Sequence, residues 1–71
     1  MRPWNGKPRL TPRELEVLHH LSHGATTKQV ARDLGISRHT VNTLLERVFD
    51  KLEVNDRAQA VAIALRRGLV R

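Results

Sequence analysis

The chain has 71 residues, and its thirteen Lys and Arg against seven Asp and Glu give a formal net charge of +6. This length allows one small domain, and the absence of Cys excludes disulfide scaffolds and cysteine zinc fingers. No apolar run approaches the roughly 20 residues that span a bilayer. Because the first ten residues also lack the apolar segment of a secretory signal, a cytoplasmic location is expected.

Residues 1–10 are predicted to form a flexible basic arm or linker. They combine Pro3, Gly6 and Pro8 with three positive charges, and their apolar residues show no periodicity. This composition is typical of chain that lies outside a packed core. Helical patterns begin directly afterwards, so residues 11–71 are predicted to form the folded domain.

The first two helices are predicted from their capping residues. The segment Thr11–Glu14 has the pattern of a capping box, with Pro at the first helical position, and starts a helix over Pro12–Ser22. A second, short helix is capped by Thr26 or Thr27. It ends before Gly35, which permits the left-handed backbone of a tight turn.

Two further helices complete the predicted fold. Ser37 caps a third helix that reaches about Leu52, and its apolar residues recur with helical spacing on one face. A fourth begins at Asn55 or Asp56, with Asp56 and Gln59 spaced as a second capping box. No stretch alternates like a strand, so the sequence predicts an all-α domain of four helices around one core.

The segment from Lys28 to Leu52 has the order of a helix-turn-helix unit. A short helix is followed by a three-residue turn containing Gly35 and then by a longer helix with a polar outer face. In such a unit the second of the two helices is the recognition helix, which enters the major groove of DNA. Helical hairpins are also common in proteins that never bind nucleic acid, but the basic net charge favours a DNA-binding function.

Five blocks of sequence follow one another between Leu10 and Leu69: LTPRELEVL, TTKQVARDLGIS, HTVNTLL, KLEVNDRAQAV and RRGL. In order and spacing they resemble the LuxR-type (GerE-type) DNA-binding domain of bacterial transcription regulators. The resemblance implies sequence-specific binding of double-stranded DNA, with the third helix docked in the major groove. It also implies a place at the C-terminus of a response regulator or autoinducer receptor, although a free-standing regulator would have the same sequence features.

The resemblance assigns roles to individual positions, which we take as expectations. Phosphate contacts are expected from Thr27, Lys28, Thr40, Arg47, Lys51 and Arg57, and also from a protonated His39 at the start of the third helix. Base edges are expected to be read by Asn42, Thr43 and Glu46, with Arg38 close enough to join them. The last helix is expected to form a weak homodimer through Gln59, Ala62, Ile63 and Arg66. Alternatively, Ile63 is a single exposed apolar residue of the kind found on any surface.

The third helix departs from the family pattern. The family often has Lys at the position of Asn42 and His at that of Leu44, while Glu46 and Asp50 place negative charge on a helix that approaches a polyanion. Asn42 suits a bidentate pair with adenine, and Glu46 can accept a hydrogen bond from cytosine N4. Alternatively, the two carboxylates form ion pairs with basic neighbours on the same helix. With three basic against two acidic residues on this helix, the arm and the fourth helix are expected to supply the electrostatic attraction.

Other functions remain open from the residues alone. A sigma-factor-like promoter-binding domain shares the helix-turn-helix core, although the KLEVNDRAQAV block argues against it, and a dimerisation or protein-interaction module would share the whole fold. No nucleophile with a base, phosphate loop or carboxylate pair is recognisable, so neither an enzyme nor a cofactor is expected. His19 and His23 have metal-ligand spacing but no Cys or carboxylate partner, so no metal site is predicted. The expected partners are double-stranded DNA, a second copy of the chain and RNA polymerase.

Overall fold

The structure, a computed structural model, describes residues 9–70. They form α1 (Pro12–Ser22), α2 (Thr27–Leu34), α3 (Arg38–Leu52) and α4 (Arg57–Arg66). The described residues contain no strand, which confirms the predicted all-α, four-helix fold. None of these helices is long and apolar enough to cross a membrane. Most of the predicted arm, residues 1–8, lies outside the described residues.

The first three helices begin at caps that the sequence specifies. The Thr11 side chain accepts a hydrogen bond from the Glu14 N–H, and Glu14 Oε1 accepts one from the Thr11 N–H at 2.8 Å. Of the two candidates for α2, Thr26 is the cap, and it closes a second box with Gln29. Ser37 caps α3. Because each cap satisfies amide groups that a helix start leaves unpaired, the helix boundaries are set locally.

The start of α4 differs from the predicted capping box. Asp56 Oδ1 accepts from the Gln59 N–H at 2.8 Å, as predicted, but Gln59 Oε1 accepts from the N–H of Asn55 at 2.9 Å. The φ angle of Asp56 is −150°, whereas the other three caps have φ between −73° and −79°. The N–H of Asp56 therefore does not face Gln59, and the preceding amide takes its place.

Two clusters of buried side chains meet at α1. The first joins α1 to α3 and α4 and comprises Leu10, Leu18, Val48, Leu52, Ala60, Ala64 and Val70. The second holds α2 on α1 and α3 and comprises Val17, Leu21, Val30, Ala31, Val41, Leu44 and Leu45. Leu10, which was assigned to the arm, is only 8% exposed. The packed part of the chain therefore begins before the predicted boundary at residue 11.

The turn between α2 and α3 fixes the angle of the helix-turn-helix unit. Gly35 has φ +68°, which is the left-handed conformation that the sequence predicts. The N–H of Ile36 donates to the Ala31 carbonyl at 3.0 Å and closes the turn. Leu34 and Ile36 are half-buried against the second cluster. The packing therefore holds the buried face of α3 against α1 and α2 and leaves its polar face exposed.

Candidate nucleic-acid interface

The exposed face of α3 carries the four residues predicted to read bases. Arg38, Asn42 and Glu46 are exposed, and Thr43 is half-buried. Asn42 and Glu46 are four residues apart, so they lie one helical turn from each other on the same side. An amide, which both donates and accepts hydrogen bonds, thus stands beside a carboxylate, which only accepts them.

Thr43 offers less hydrogen-bonding capacity than its sequence position suggests. Its hydroxyl donates to the backbone carbonyl of His39 at 3.1 Å, inside the helix. The hydroxyl proton is therefore already used, and the methyl group and the oxygen lone pairs remain. A methyl group on this face fits an apolar contact with the C5-methyl group of thymine.

The first turn of α2 carries two residues predicted to contact phosphates. Thr27 is half-buried and Lys28 is exposed. The capping box uses the backbone N–H groups of Thr26 and Gln29, whereas the N–H groups of Thr27 and Lys28 belong to the first turn, which has no partners inside the helix. Backbone donors beside an ammonium group form a suitable environment for an anion.

A second set of predicted phosphate contacts follows one side of α3. Thr40 and Arg47 are exposed, and with Lys51 they are spaced at i, i+7 and i+11, which places them along one flank of the helix. The Thr40 hydroxyl lies 2.9 Å from the Ser37 hydroxyl. His39, also exposed, lies next to Thr40 in the first turn. This flank lies beside the base-reading face and is suited to the DNA backbone.

Lys51 has a structural role that the sequence analysis did not predict. Its Nζ donates to Glu14 Oε1 at 2.8 Å and to the carbonyl of Arg9 at 3.2 Å. The Glu14 side chain is 1% exposed and that of Lys51 is 19% exposed, so the ion pair is largely buried. The ammonium group joins the start of α1 to the end of α3, and we therefore do not include Lys51 among the proposed phosphate contacts.

Two opposing effects determine the protonation of Glu14. Burial alone would raise the pKa of its carboxyl group. The hydrogen bond from Lys51, the hydrogen bonds from Thr11 and the charge of the ammonium group outweigh this effect and lower the pKa of Glu14 below its ordinary value of 4.5. Glu14 is therefore ionised at neutral pH and balances the charge of Lys51.

Arg57 joins the start of α4 to the loop before α2. Its guanidinium donates from Nη1 to the carbonyl of Ala25 at 3.2 Å, across 32 positions of sequence. Ala25 directly precedes the cap of α2, so this contact places a positive charge close to the first turn of that helix. The side chain is exposed and keeps further guanidinium donors beyond the one that bonds Ala25.

The carboxylates of α3 form no ion pairs with other described residues. Among the described residues, acidic side chains lie close to basic ones at Glu16 with Arg13, Asp33 with His20, and Glu14 with Lys51. The alternative in which Glu46 and Asp50 pair with basic neighbours on their own helix is therefore not realised. Because Glu14 neutralises Lys51, the exposed surface of α3 carries two arginines against two carboxylates and has no net charge.

The histidines of α1 contact one another and a residue of α2. The rings of His19 and His23 lie edge to face with centroids 4.4 Å apart, and His20 Nδ1 lies 3.8 Å from Asp33 Oδ2 on α2. In the described part of the chain, no group of three or more His, Cys, Asp or Glu residues could hold a metal ion. The contact between His20 and Asp33 joins α1 to α2.

The outer face of α4 has two halves that meet at Ala62. Gln59, Ala62 and Arg66 of the predicted dimer surface are exposed, but Ile63 is half-buried against the first core cluster. The other half is a shallow apolar surface lined by Ala58, Val61, Ala62 and Leu65. Leu65 is 54% exposed and is the one large exposed hydrophobic residue between positions 9 and 70. No pattern in the sequence predicts this exposure of Leu65.

Comparison with known proteins identifies the family. The model of bacterial regulatory proteins of the luxR family matches residues 8–64. The chain belongs to the LuxR family. The spore germination protein GerE of Bacillus subtilis is 42% identical over 67 residues, which cover 94% of this chain and 90% of GerE. The solved structure of the transcription factor GerE superposes with a TM-score of 0.82 and 35% identity, over 87% of this chain and 92% of that one.

Other LuxR-family relatives are longer proteins. The transcriptional regulatory protein YdfI of Bacillus subtilis is 36% identical over 99% of this chain, which corresponds to 33% of YdfI. The response regulator ChrA of a heme-sensing two-component system superposes with a TM-score of 0.83 and 39% identity, over 92% of this chain and 33% of ChrA. The chain thus spans about a third or less of several curated relatives that it matches. The fold and the DNA-binding class of this LuxR-family domain are established, and the sigma-factor alternative is not favoured.

Proposed function

We propose that this LuxR-family domain binds double-stranded DNA sequence-specifically, with α3 in the major groove, as part of a bacterial transcription regulator. The observation that carries the proposal is the polar face of α3, which core packing leaves exposed beside the first turn of α2. Base contacts are assigned to Arg38, Asn42, Thr43 and Glu46, and phosphate contacts to Thr27, Lys28, His39, Thr40, Arg47 and Arg57. We further propose a cytoplasmic location, contact with RNA polymerase and no enzymatic activity.

Titration with DNA followed by amide NMR shifts tests this function. When random-sequence duplex is added at low salt, the amides of Lys28, Thr40, Asn42, Thr43 and Arg47 are expected to shift together. Raising the salt concentration is expected to weaken the effect, because contacts to phosphates release counterions. The shifted residues should lie on one surface that includes α3 and the first turn of α2.

The control for this titration replaces Lys28 and Arg47 by Gln, which removes two proposed phosphate contacts from exposed positions. The variant is expected to keep its folded spectrum and to require more duplex for the same shifts. The absence of net charge on the exposed surface of α3 favours one competing function, a protein-interaction module. That function would be supported if the α3 amides stayed unchanged while α4 resonances broadened with protein concentration.

We also propose that two copies associate weakly through α4. Ala62 lies opposite the core-facing residues Ala60 and Ala64 on the helix, so it stands at the centre of the exposed face. A small central residue permits close approach of two helices, and Leu65 supplies apolar area at one side. Two associated copies would read two half-sites along the duplex.

Sedimentation velocity over a concentration series tests the association. The wild-type chain is expected to show a concentration-dependent increase in mean mass, and Ala62→Arg is expected to abolish it, because two like charges would meet at the centre of the contact. The matched control Arg13→Ala changes an exposed residue of α1 and should leave the association unchanged. Identical curves for wild type and Ala62→Arg would contradict a contact through α4.

A further inference from the structure

The exposed face of α2 carries four polar side chains, of which two have partners within the chain. The four residues are Lys28, Gln29, Arg32 and Asp33. Gln29 closes the capping box, because its Oε1 accepts from the Thr26 N–H at 2.8 Å. Asp33 Oδ2 lies 3.8 Å from His20 Nδ1 on α1. The side chains of Lys28 and Arg32, in contrast, form no ion pair or hydrogen bond with another described residue.

Lys28 and Arg32 lie together on the edge of α2 that faces away from α1. They are four residues apart, so their side chains leave the helix within about 40° of each other and about 6 Å apart along its axis. Asp33 follows Arg32 and points about 100° further around the helix. Because Asp33 contacts His20, its carboxylate is directed towards α1. The edge that carries Lys28 and Arg32 therefore keeps two positive charges.

We propose that Arg32 binds a phosphate of the DNA backbone next to the phosphate that the first turn of α2 contacts. This contact, which rests on the proposed function, extends the phosphate-binding surface of α2 from its first turn to its last. In a helix-turn-helix unit the first helix lies across the DNA backbone. One strand presents a phosphate about every 3.4 Å of duplex axis, so two cations about 6 Å apart can reach different phosphates.

The charge of α3 makes this contact important for affinity. The exposed surface of α3 has no net charge, whereas the edge of α2 carries two unopposed positive charges. Attraction that is independent of base sequence is therefore concentrated on α2, while α3 reads bases. Arg32 also suits a phosphate chemically, because a planar guanidinium can donate two parallel hydrogen bonds to the oxygens of one phosphate.

Two structural roles compete with a phosphate contact of Arg32. Arg32 lies in the last turn of α2, where a positive charge interacts favourably with the helix dipole. Asp33 is its neighbour in sequence, and pairing of the two side chains would leave no free cation at this position. Both roles concern the chain without DNA, so neither would make Arg32 contribute to the salt dependence of DNA binding.

The salt dependence of DNA affinity tests the contact. Fluorescence anisotropy with a labelled random-sequence duplex gives the slope of log affinity against log salt, to which each phosphate contact contributes about 0.9. Arg32→Gln is expected to bind more weakly and to reduce the magnitude of this slope by about one. Lys28→Gln, which removes the neighbouring contact, is expected to have a similar effect. Arg32→Lys should keep the wild-type slope, because it keeps the charge.

Arg67→Gln is the matched control for the loss of charge. Arg67 is exposed and is the C-cap of α4, so this variant also removes one positive charge at the C-terminal end of a helix. It is expected to change the slope by less than about half as much as Arg32→Gln. Asp33→Asn tests the competing pair within α2. It should leave the slope unchanged, because Asp33 contacts α1 and does not occupy Arg32.

An Arg32→Gln variant with the same slope as Arg67→Gln would overturn the contact and leave the proposed function intact. An increase in the magnitude of the slope by about one in Asp33→Asn would overturn it as well, because Asp33 would then occupy Arg32 in the wild-type chain. If the wild-type chain showed no salt-dependent binding, the proposed function itself would fall, and the contact of Arg32 with it.

Discussion

Replacing Lys51 with Met is expected to lower the free energy of unfolding by about 3 kcal/mol at neutral pH. Breaking a buried ion pair by removing one partner typically costs about 3–5 kcal/mol, because the other charge stays buried without compensation. Here the remaining charge is the Glu14 carboxylate, whose side chain is 1% exposed. The lower end of the range applies because Lys51 itself is 19% exposed. For a domain of this size the loss is a large fraction of the total stability.

The loss of unfolding free energy in the Lys51→Met variant is expected to depend on pH. In the wild-type chain the pKa of Glu14 is lowered, so its contribution to stability is present above the ordinary value of 4.5 and is lost as the pH falls through the lowered pKa. Without the ammonium group, both of the effects by which Lys51 lowers the pKa of Glu14 are lost while burial still raises it, so this pKa is expected to rise. Protonation of Glu14 at acid pH then removes the uncompensated charge from the folded variant. Urea unfolding should show a larger difference between wild type and variant at pH 7 than near pH 4.

Two variants show whether the buried charge causes this loss. Adding Glu14→Gln to Lys51→Met removes the uncompensated charge but keeps an acceptor for the Thr11 N–H, since Gln also closes a capping box. The double variant is therefore expected to be more stable than Lys51→Met alone. Arg47→Met is the matched control, because Arg47 lies one turn earlier on the same helix and is exposed. If Arg47→Met and Lys51→Met lost the same free energy of unfolding at pH 7, a structural role for the ion pair of Lys51 with Glu14 would be contradicted.

The sequence predicted the helices well because the signals that begin and end them are local. The capping box joins Thr11 and Glu14, which are three positions apart, and the left-handed turn depends on Gly35 alone. Patterns of this kind connect neighbours along the chain, so they can be recognised without knowledge of the fold. The spacing of Thr26 and Gln29 has the same local signature. This signature distinguishes Thr26 from Thr27, the other candidate for the cap of α2.

The contacts that shape the candidate interface were not predictable in this way. Lys51 meets Glu14 across 37 positions, and Arg57 meets the Ala25 carbonyl across 32. A sequence shows that a side chain is charged, but the partner depends on how helices cross in three dimensions. Helical spacing alone also did not distinguish Ile63, which is half-buried, from Leu65, which is exposed. The distribution of charge over the interface therefore required the fold.

Replacing Asn42 with Ala is expected to reduce the ratio of specific to non-specific DNA affinity by about five- to 150-fold. A well-placed bidentate contact to a base contributes about 1–3 kcal/mol of discrimination. Asn42 is exposed on α3, and no other side chain in residues 9–70 occupies its amide in a hydrogen bond. Its affinity for random-sequence duplex should change little, because phosphate contacts supply that binding.

Measuring this ratio requires a preferred site, which selection from a randomised duplex library provides. Wild-type selections are expected to enrich adenine where Asn42 contacts the groove and cytosine where Glu46 does, since their side chains match the groups those bases present. Asn42→Ala should lose the enrichment of adenine and keep the enrichment of cytosine. Glu46→Ala should lose enrichment of cytosine and keep that of adenine, because Ala presents no acceptor to cytosine N4.

The matched control for this selection is Asp50→Ala. Asp50 is exposed on the same helix and lies two turns beyond Asn42, or about 12 Å along the axis. Removing its carboxylate reduces repulsion from phosphates, so affinity is expected to rise for all duplexes while the enriched bases stay the same. If Asn42→Ala selected the same bases as the wild type, α3 would not read DNA through this amide. If Asn42→Ala instead lost base enrichment at one position of the selected duplexes, the base at that position would be assigned to Asn42. That assignment would fix the orientation of α3 in the groove.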